Sequence, residues 1–288
     1  MHHAPVAIES VLKIRGASAS AEDDLLAVEQ PLAIRIGYGP AGERVQRELA
    51  VTMRTPGHDH DLVLGFLFTE GIISSAAQVN SLRHCEQGPE AQRGNVVRVE
   101  LHESVSPSPV LLKRQTFVSS SCGICGKTSI EAVRVLCATP PSVPEWTLSA
   151  DQLLELNAAV VARQSAFSAT GGMHAAALFD LAGNLLALRE DVGRHNALDK
   201  LVGHALAEQR VPLSRHLLFL SGRASFELIQ KAAMAGISLV CAVGAPSSLA
   251  VEAAREFQMT LAGFLREGRF NLYTGPERVR LHSPAPAL

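Results

Sequence analysis

Two cysteines, Cys122 and Cys125, stand in a C-x-x-C pair within "SSSCGICGKTS" (119–129). Cysteine set among serines and glycines is not there to pack, because bulkier apolar residues fill a core better. Gly123 and Gly126 keep both sulfurs approachable. Paired thiols of this kind can ligate a metal, cycle a disulfide or carry sulfur.

Zinc takes about four ligands, and one C-x-x-C supplies only two. No second C-x-x-C exists, and His58 and His60 of "TPGHDHD" read as surface polarity at a helix cap. A redox dithiol is favoured by the helix start that follows the pair and by the charge of Lys127. The α/β pattern beyond it, however, has more elements than a thioredoxin fold, and the pair lies at a domain junction. In sulfur transfer, one thiolate takes the outer sulfur of a donor persulfide. The second thiol then attacks the carrier persulfide, forms a disulfide and expels sulfide. That chemistry needs reduced thiols, access and a Gly-containing loop, and all three are written here. The residues alone leave the redox cycle open. The other cysteines, Cys85, Cys137 and Cys241, each lie in or beside an apolar run and are expected to be small buried hydrophobes. An odd total of five, mostly scattered, argues against a disulfide framework.

A second chemistry is written in two strand-to-helix turns. "EDVGRHN" (190–196) and "SGRASFE" (221–227) each place a Gly-Arg pair where backbone N–H groups and Arg194 or Arg223 can face a phosphate. One such arginine alone would be read as a surface ion pair. Two in the same sheet point to an anion, since ligands of these folds bind off the carboxyl ends of strands. "TGGMH" (170–174) sets Gly171 and Gly172 before a strand, as either an anion-approaching backbone or an ordinary tight turn. His195 stands at a helix start where a deaminase would carry a zinc ligand, but no cysteine and no H-x-E stand at either helix start.

These residues need a frame. "PLAIRIGYG" (31–39), "RVQRELAVTMRTP" (44–56) and "NVVRVELH" (95–102) alternate as half-buried strands do, and "DLVLGFLFTEGII" (61–73) reads as a compact apolar helix ended by Gly71. Thr128 and Glu131 have capping-box spacing just after the cysteines. Beyond the Pro-rich 138–146, a helix over 149–164 opens on a second capping box, Ser149 and Gln152. Strands at 174–180, 184–190, 215–221, 238–243, 259–265 and 269–273 then alternate with helices at 196–208, 224–236 and 247–257. The expected fold is α/β (α+β), with a cytidine-deaminase-like three-layer C-terminal domain and a smaller β-rich N-terminal domain. The expected divisions are a loose tail over 1–25, an N-terminal domain over 26–140, a C-terminal domain over 141–280 and a tail over 281–288.

The composition is globular, with 47% hydrophobic and 19% charged residues and a net charge of -2 over 288 residues. That balance gives no bulk reason to expect nucleic acid or an anionic membrane as partner. No apolar run reaches membrane-span length and no secretory signal opens the chain, so a cytoplasmic location with reduced thiols is expected.

Six motifs in order, "TPGHDHDLVLGFLFTEGII", "CGICGKTS", "TGGMHAAAL", "REDVGRHNALDK", "LSGRASFELIQKA" and "GFLREGRFNLYTG", resemble the formate dehydrogenase accessory sulfurtransferases (FdhD) over roughly residues 28–280. The resemblance implies a persulfide carrier. It would take sulfur from a cysteine desulfurase on Cys122, with Cys125 assisting. It would pass that sulfur to the molybdenum of a bis(molybdopterin guanine dinucleotide) cofactor, bound as substrate, before the cofactor enters formate dehydrogenase. It further implies a homodimer, a GDP-like nucleotide as mimic of the cofactor's ends, and a cofactor-binding segment on Phe264, Leu265, Arg266, Glu267, Gly268 and Arg269. Arg223 and His195 would be further contacts. The alternative of another class is a zinc- or nucleotide-binding regulatory module without group transfer.

Overall fold

A computed structural model describes residues 4–85, 94–108, 117–118 and 146–281. Cys122, Cys125, Cys137 and the helix expected after Thr128 lie outside the described residues.

The N-terminal sheet has the order β5-β6-β3-β4-β7. Its strands are β3 (Gln30–Tyr38), β4 (Val45–Arg54), β5 (Val79–His84), β6 (Val96–Leu101) and β7 (Phe117–Val118). Alternation sets its inner face: Leu32, Ile34 and Ile36 of β3 and Val97, Val99 and Leu101 of β6 are fully buried. Helix α1 (Asp59–Thr69) follows β4. The connection is fixed by a buried Arg54–Asp59 pair, Nε to Oδ1 and Nη2 to Oδ2 both at 2.9 Å, and Arg54 Nη2 also donates to Asn95 Oδ1.

The second sheet has the order β10-β9-β11-β12-β13-β14. It is built from β9 (His174–Asp180), β10 (Leu185–Asp191), β11 (His216–Leu220), β12 (Leu239–Ala242), β13 (Thr260–Arg266) and β14 (Arg269–Thr274). β11, β12 and β13 are parallel to one another, while β9, β10 and β14 run antiparallel to their neighbours. One face is covered by α2 (Ala150–Val161), which follows the short β8 (Leu148–Ser149) and precedes the short α3 (Ser165–Thr170), through Leu153, Leu156 and Val160. The other is covered by α4 (Arg194–Ala207), α5 (Phe226–Met234) and α6 (Ser248–Glu256). This is the mixed, three-layer α/β arrangement expected from the element order. The capping box at α2 is formed as read: Ser149 Oγ accepts from Gln152 N, and Ser149 N donates to Gln152 Oε1.

One apolar core runs from the N-terminal sheet through α1 into α4, α5 and the second sheet. α1 and α4 cross at Gly65 and Gly203. A Cβ on Gly65 would overlap the Asp199 carbonyl, and one on Gly203 the Asp61 carbonyl. The two backbones therefore touch where both side chains are missing.

Residues expected as a loose tail instead form an antiparallel hairpin, β1 (Val6–Arg15) with β2 (Ser18–Ala27). Its polar face is tied by Lys13 to Glu22 and Asp24 and by Arg15 to Glu22, while Ile8, Leu12 and Ile14 on the other face are exposed.

Candidate functional site

The carboxyl ends of β11, β12 and β13 lie side by side, the place where open α/β sheets form a ligand crevice, and glycine lets the turns there pack closely. After β11 the chain turns through Ser221, Gly222 and Arg223; after β12, through Val243 and Gly244. The turns stay paired: Val243 N donates to Leu220 O, Gly244 N to Gly222 O and Ser247 N to Ala224 O, each at 3.0 Å. A Cβ on Gly244 would lie 3.0 Å from the Arg223 backbone, and one on Gly222 would lie 3.2 Å from His174 Nδ1. A side chain at either glycine would force a neighbour to shift, and Arg223 stands exposed between them.

Phe264 joins the third strand to this crevice. Its N–H donates to Gly244 O at 3.2 Å, and it holds a left-handed backbone, φ 54, at an irregularity between Gly263 and Arg266. An aromatic residue seldom adopts that conformation, and such strain gathers at functional sites. The rest of the expected segment leaves the crevice as a hairpin. Leu265 is fully buried in the α2-side core, so it packs the segment in place rather than facing a ligand. Glu267 and Gly268, φ 72, form the turn, and Arg266 and Arg269 face each other across it, both exposed. Like charges directly opposite in a hairpin repel, and an anion between them would relieve the repulsion.

His195 lies in the first turn of α4, with Nε2 3.5 Å from Glu227 Oε2 and 3.4 Å from Ser225 Oγ. Glu227 and Ser225 stand at the start of α5. The His195 hydrogen bond, then that of Ser225, pull the Glu227 carboxyl down to about 2 in spite of burial. His174, against Gly222, is held below the ordinary imidazole value by burial and by the nearby Arg194 cation. The crevice therefore combines a permanent carboxylate, two arginines and a neutral imidazole. This donor and acceptor set suits a phosphorylated ligand with a polar base.

Of the residues expected here, the fold brings Arg223, His195 and Phe264 to one crevice, and carries Arg266 to Arg269 outward from it. His174, Ser225 and Glu227 sit inside "TGGMH" and "SGRASFE" but take their roles from partners on other elements, and Gly244 lies outside every motif. The glycines of "TGGMH" are an ordinary turn. Gly171 N donates to Phe167 O and Gly172 N to Thr170 Oγ1, so their N–H groups are already used. Cys241 is fully buried in the core, and burial raises its thiol to about 12, as a packing residue requires. Cys85 is half-buried. His60 stacks on His84 at 5.3 Å, and His84 Nε2 lies 3.5 Å from Asp59 Oδ2.

The model of the FdhD/NarQ family matches residues 27–280 of this chain. The chain belongs to that family. Among curated FdhD/NarQ relatives, the sulfur carrier protein FdhD of Nocardia farcinica is 49% identical over 94% of this chain and 93% of its own. That of Mycolicibacterium paratuberculosis is 46% identical over 93% and 97%. The sulfur carrier protein FdhD of Sulfurisphaera tokodaii is 41% identical over 93% of this chain and 97% of its own. A crystal structure from Desulfotalea psychrophila, of a protein described as a formate dehydrogenase accessory protein, superposes with a TM-score of 0.70 at 22% identity. It covers 96% of this chain and all of that one, so the two share a fold.

Proposed function

We propose that this protein is a persulfide carrier that loads sulfur onto a molybdenum cofactor bound for formate dehydrogenase. The observation that carries the reading is full-length membership of a family whose relatives are named sulfur carriers, in a chain that holds the C-x-x-C pair. Cys122 thiolate attacks the outer sulfur of a cysteine desulfurase persulfide; the new S–S bond forms as the donor thiolate leaves. Cys125 thiolate then attacks Cys122 Sγ. A Cys122–Cys125 disulfide forms, the outer sulfur departs as sulfide to the cofactor's molybdenum, and a cellular thiol resets the pair. The cofactor is cargo, a bis(molybdopterin guanine dinucleotide) whose nucleotide ends occupy the crevice at Arg223, His195 and Phe264, with Arg266 and Arg269 on phosphate. The protein works as a cytoplasmic homodimer. Among the described residues, no helix is long and apolar enough to cross a membrane.

Intact-mass analysis after incubation with a desulfurase and cysteine tests this. The wild type gains about 32 Da per sulfur, labile to reductant. Cys122→Ala gains none, and Cys125→Ala accumulates the adduct because the resolving attack is gone. A gain that survives Cys122→Ala and vanishes in Cys125→Ala would move the carrier role to the second thiol, and no gain in the wild type would end the reading.

A further inference from the structure

Behind the crevice lies a group of polar residues that touches no surface. Asp191 is fully buried and Lys200 is 1% exposed, with Lys200 Nζ 2.7 Å from Asp191 Oδ2. Asp191 accepts three further hydrogen bonds: Oδ2 from Thr55 N at 3.1 Å, and Oδ1 from Gly193 N at 2.8 Å and Asn196 Nδ2 at 3.2 Å. Lys200 donates to Thr55 O at 2.8 Å and Glu190 O at 3.4 Å. Asn196 bridges onward, Nδ2 to Met53 O at 2.7 Å and Oδ1 from Thr52 Oγ1 at 3.1 Å, while Thr55 Oγ1 accepts from Val192 N at 3.2 Å.

Five of these bonds, Thr55 N to Asp191, Lys200 to Thr55 O, Asn196 to Met53 O, Thr52 to Asn196 and Val192 N to Thr55 Oγ1, hold two pieces of backbone together, and the others brace the first piece from within. One is the 191–196 turn that carries Arg194 and His195; the other is the end of β4 and the residue that follows it. We propose that Asp191 and Lys200 are positioning residues: clamped to Thr55, they fix the Gly193–Arg194–His195 turn so that Arg194 and His195 meet the nucleotide end of the cargo. The inference rests on the crevice being that nucleotide site. Asp191 suits the task for a physical reason. A carboxylate offers four lone-pair directions, and this one uses both oxygens on two strands of backbone and one cation. An amide has only one acceptor oxygen and cannot replace it. Buried ion pairs contribute little net stability, so stability alone does not account for a charged pair where a leucine and a methionine would pack. Preorganisation of the turn does, since a site must hold its contacts from a supporting layer.

The experiment compares GDP affinity by calorimetry with the His174 and His195 imidazole resonances by NMR, in full-length protein. Asp191→Asn alone leaves Lys200 charged and unpaired, and is expected to melt early. Asp191→Asn combined with Lys200→Met removes both charges at similar volume and is expected to melt close to wild type. Its GDP affinity stays down at least about tenfold and both imidazoles shift, because the turn has lost its clamp. Thr55→Val, which removes the acceptor for Val192 N–H and the hydroxyl that donates to Met173 Sδ at 3.4 Å, moves GDP affinity and the His195 resonance in the same direction by less, and is the deciding variant, read at those two, if the double variant does not fold. A folded double variant with wild-type affinity and resonances overturns the proposal, as does unchanged Thr55→Val when it is the deciding variant. If wild-type protein binds no GDP, the nucleotide reading of the crevice fails. The imidazole resonances then still decide the clamp, and unchanged resonances overturn it.

Discussion

The Glu227 carboxylate is set against a histidine and a serine rather than water, and that has a measurable sign. Its folded value of about 2 lies below the ordinary 4.5. Its contribution to stability is therefore complete above about pH 4.5 and is lost as pH falls toward 2. Thermal melts of Glu227→Gln should fall below wild type near neutral pH, and the two curves should converge across that acid window. A constant gap down to the acid end would show that the carboxylate is not what the pair stabilises. At the hairpin tip the expectation concerns binding. If Arg266 and Arg269 share a phosphate, Arg269→Ala weakens GDP by about 1–3 kcal/mol, and calorimetry should show GDP favoured over ADP. Equal and weak binding of the two would remove the base-reading part of the argument.

At the scale of elements, the crossing of α1 and α4 is the place where one methyl group has most effect. Gly203→Ala or Gly65→Ala must push two backbones apart, because the obstacle in each case is a carbonyl rather than a movable side chain. A loss of on the order of 3 kcal/mol is expected for either, read from urea midpoints. A neutral substitution would mean that the helices can slide without cost. This contact was not legible in the sequence. "DLVLGFLF" announces a helix by its apolar content, but nothing local says that its glycine must meet another glycine far along the chain. The strands and helices from Ser149 to Thr274 were legible, since their periods and the Ser149–Gln152 capping box are local signals. The β1–β2 hairpin was not: "SASAEDDLLA" carries small and acidic residues that strands seldom use, and the strand is held by pairing across the turn rather than by burial. Among site residues, Arg223 and His195 were marked by Gly-Arg turns, whereas Glu227 and the Asp191–Lys200 pair are defined by partners on other elements.

Across the whole molecule, polar joints accompany the shared core. Lys231 of α5 places Nζ 2.9 Å from both oxygens of Asp199 on α4, 2.8 Å from Thr69 Oγ1 of α1 and 3.3 Å from Glu70 Oε1. Burial works against its charge, and Asp199 and Glu70 outweigh that, holding its pKa above the ordinary lysine value. Three helices from distant parts of the chain thus meet on one cation. The common core also has a consequence during synthesis. The N-terminal sheet and α1 leave the ribosome first, yet the apolar partner of α1 is α4, completed only at Ala207. Until then the inner face of α1 has nothing to rest on, and the nascent chain shows it to whatever holdase is near. Stalled chains ending near residue 150 should be cut rapidly by protease and bound by such chaperones, and chains extended past α5 should not. Early protease resistance in the shorter chains would show that the first sheet finds its own cover.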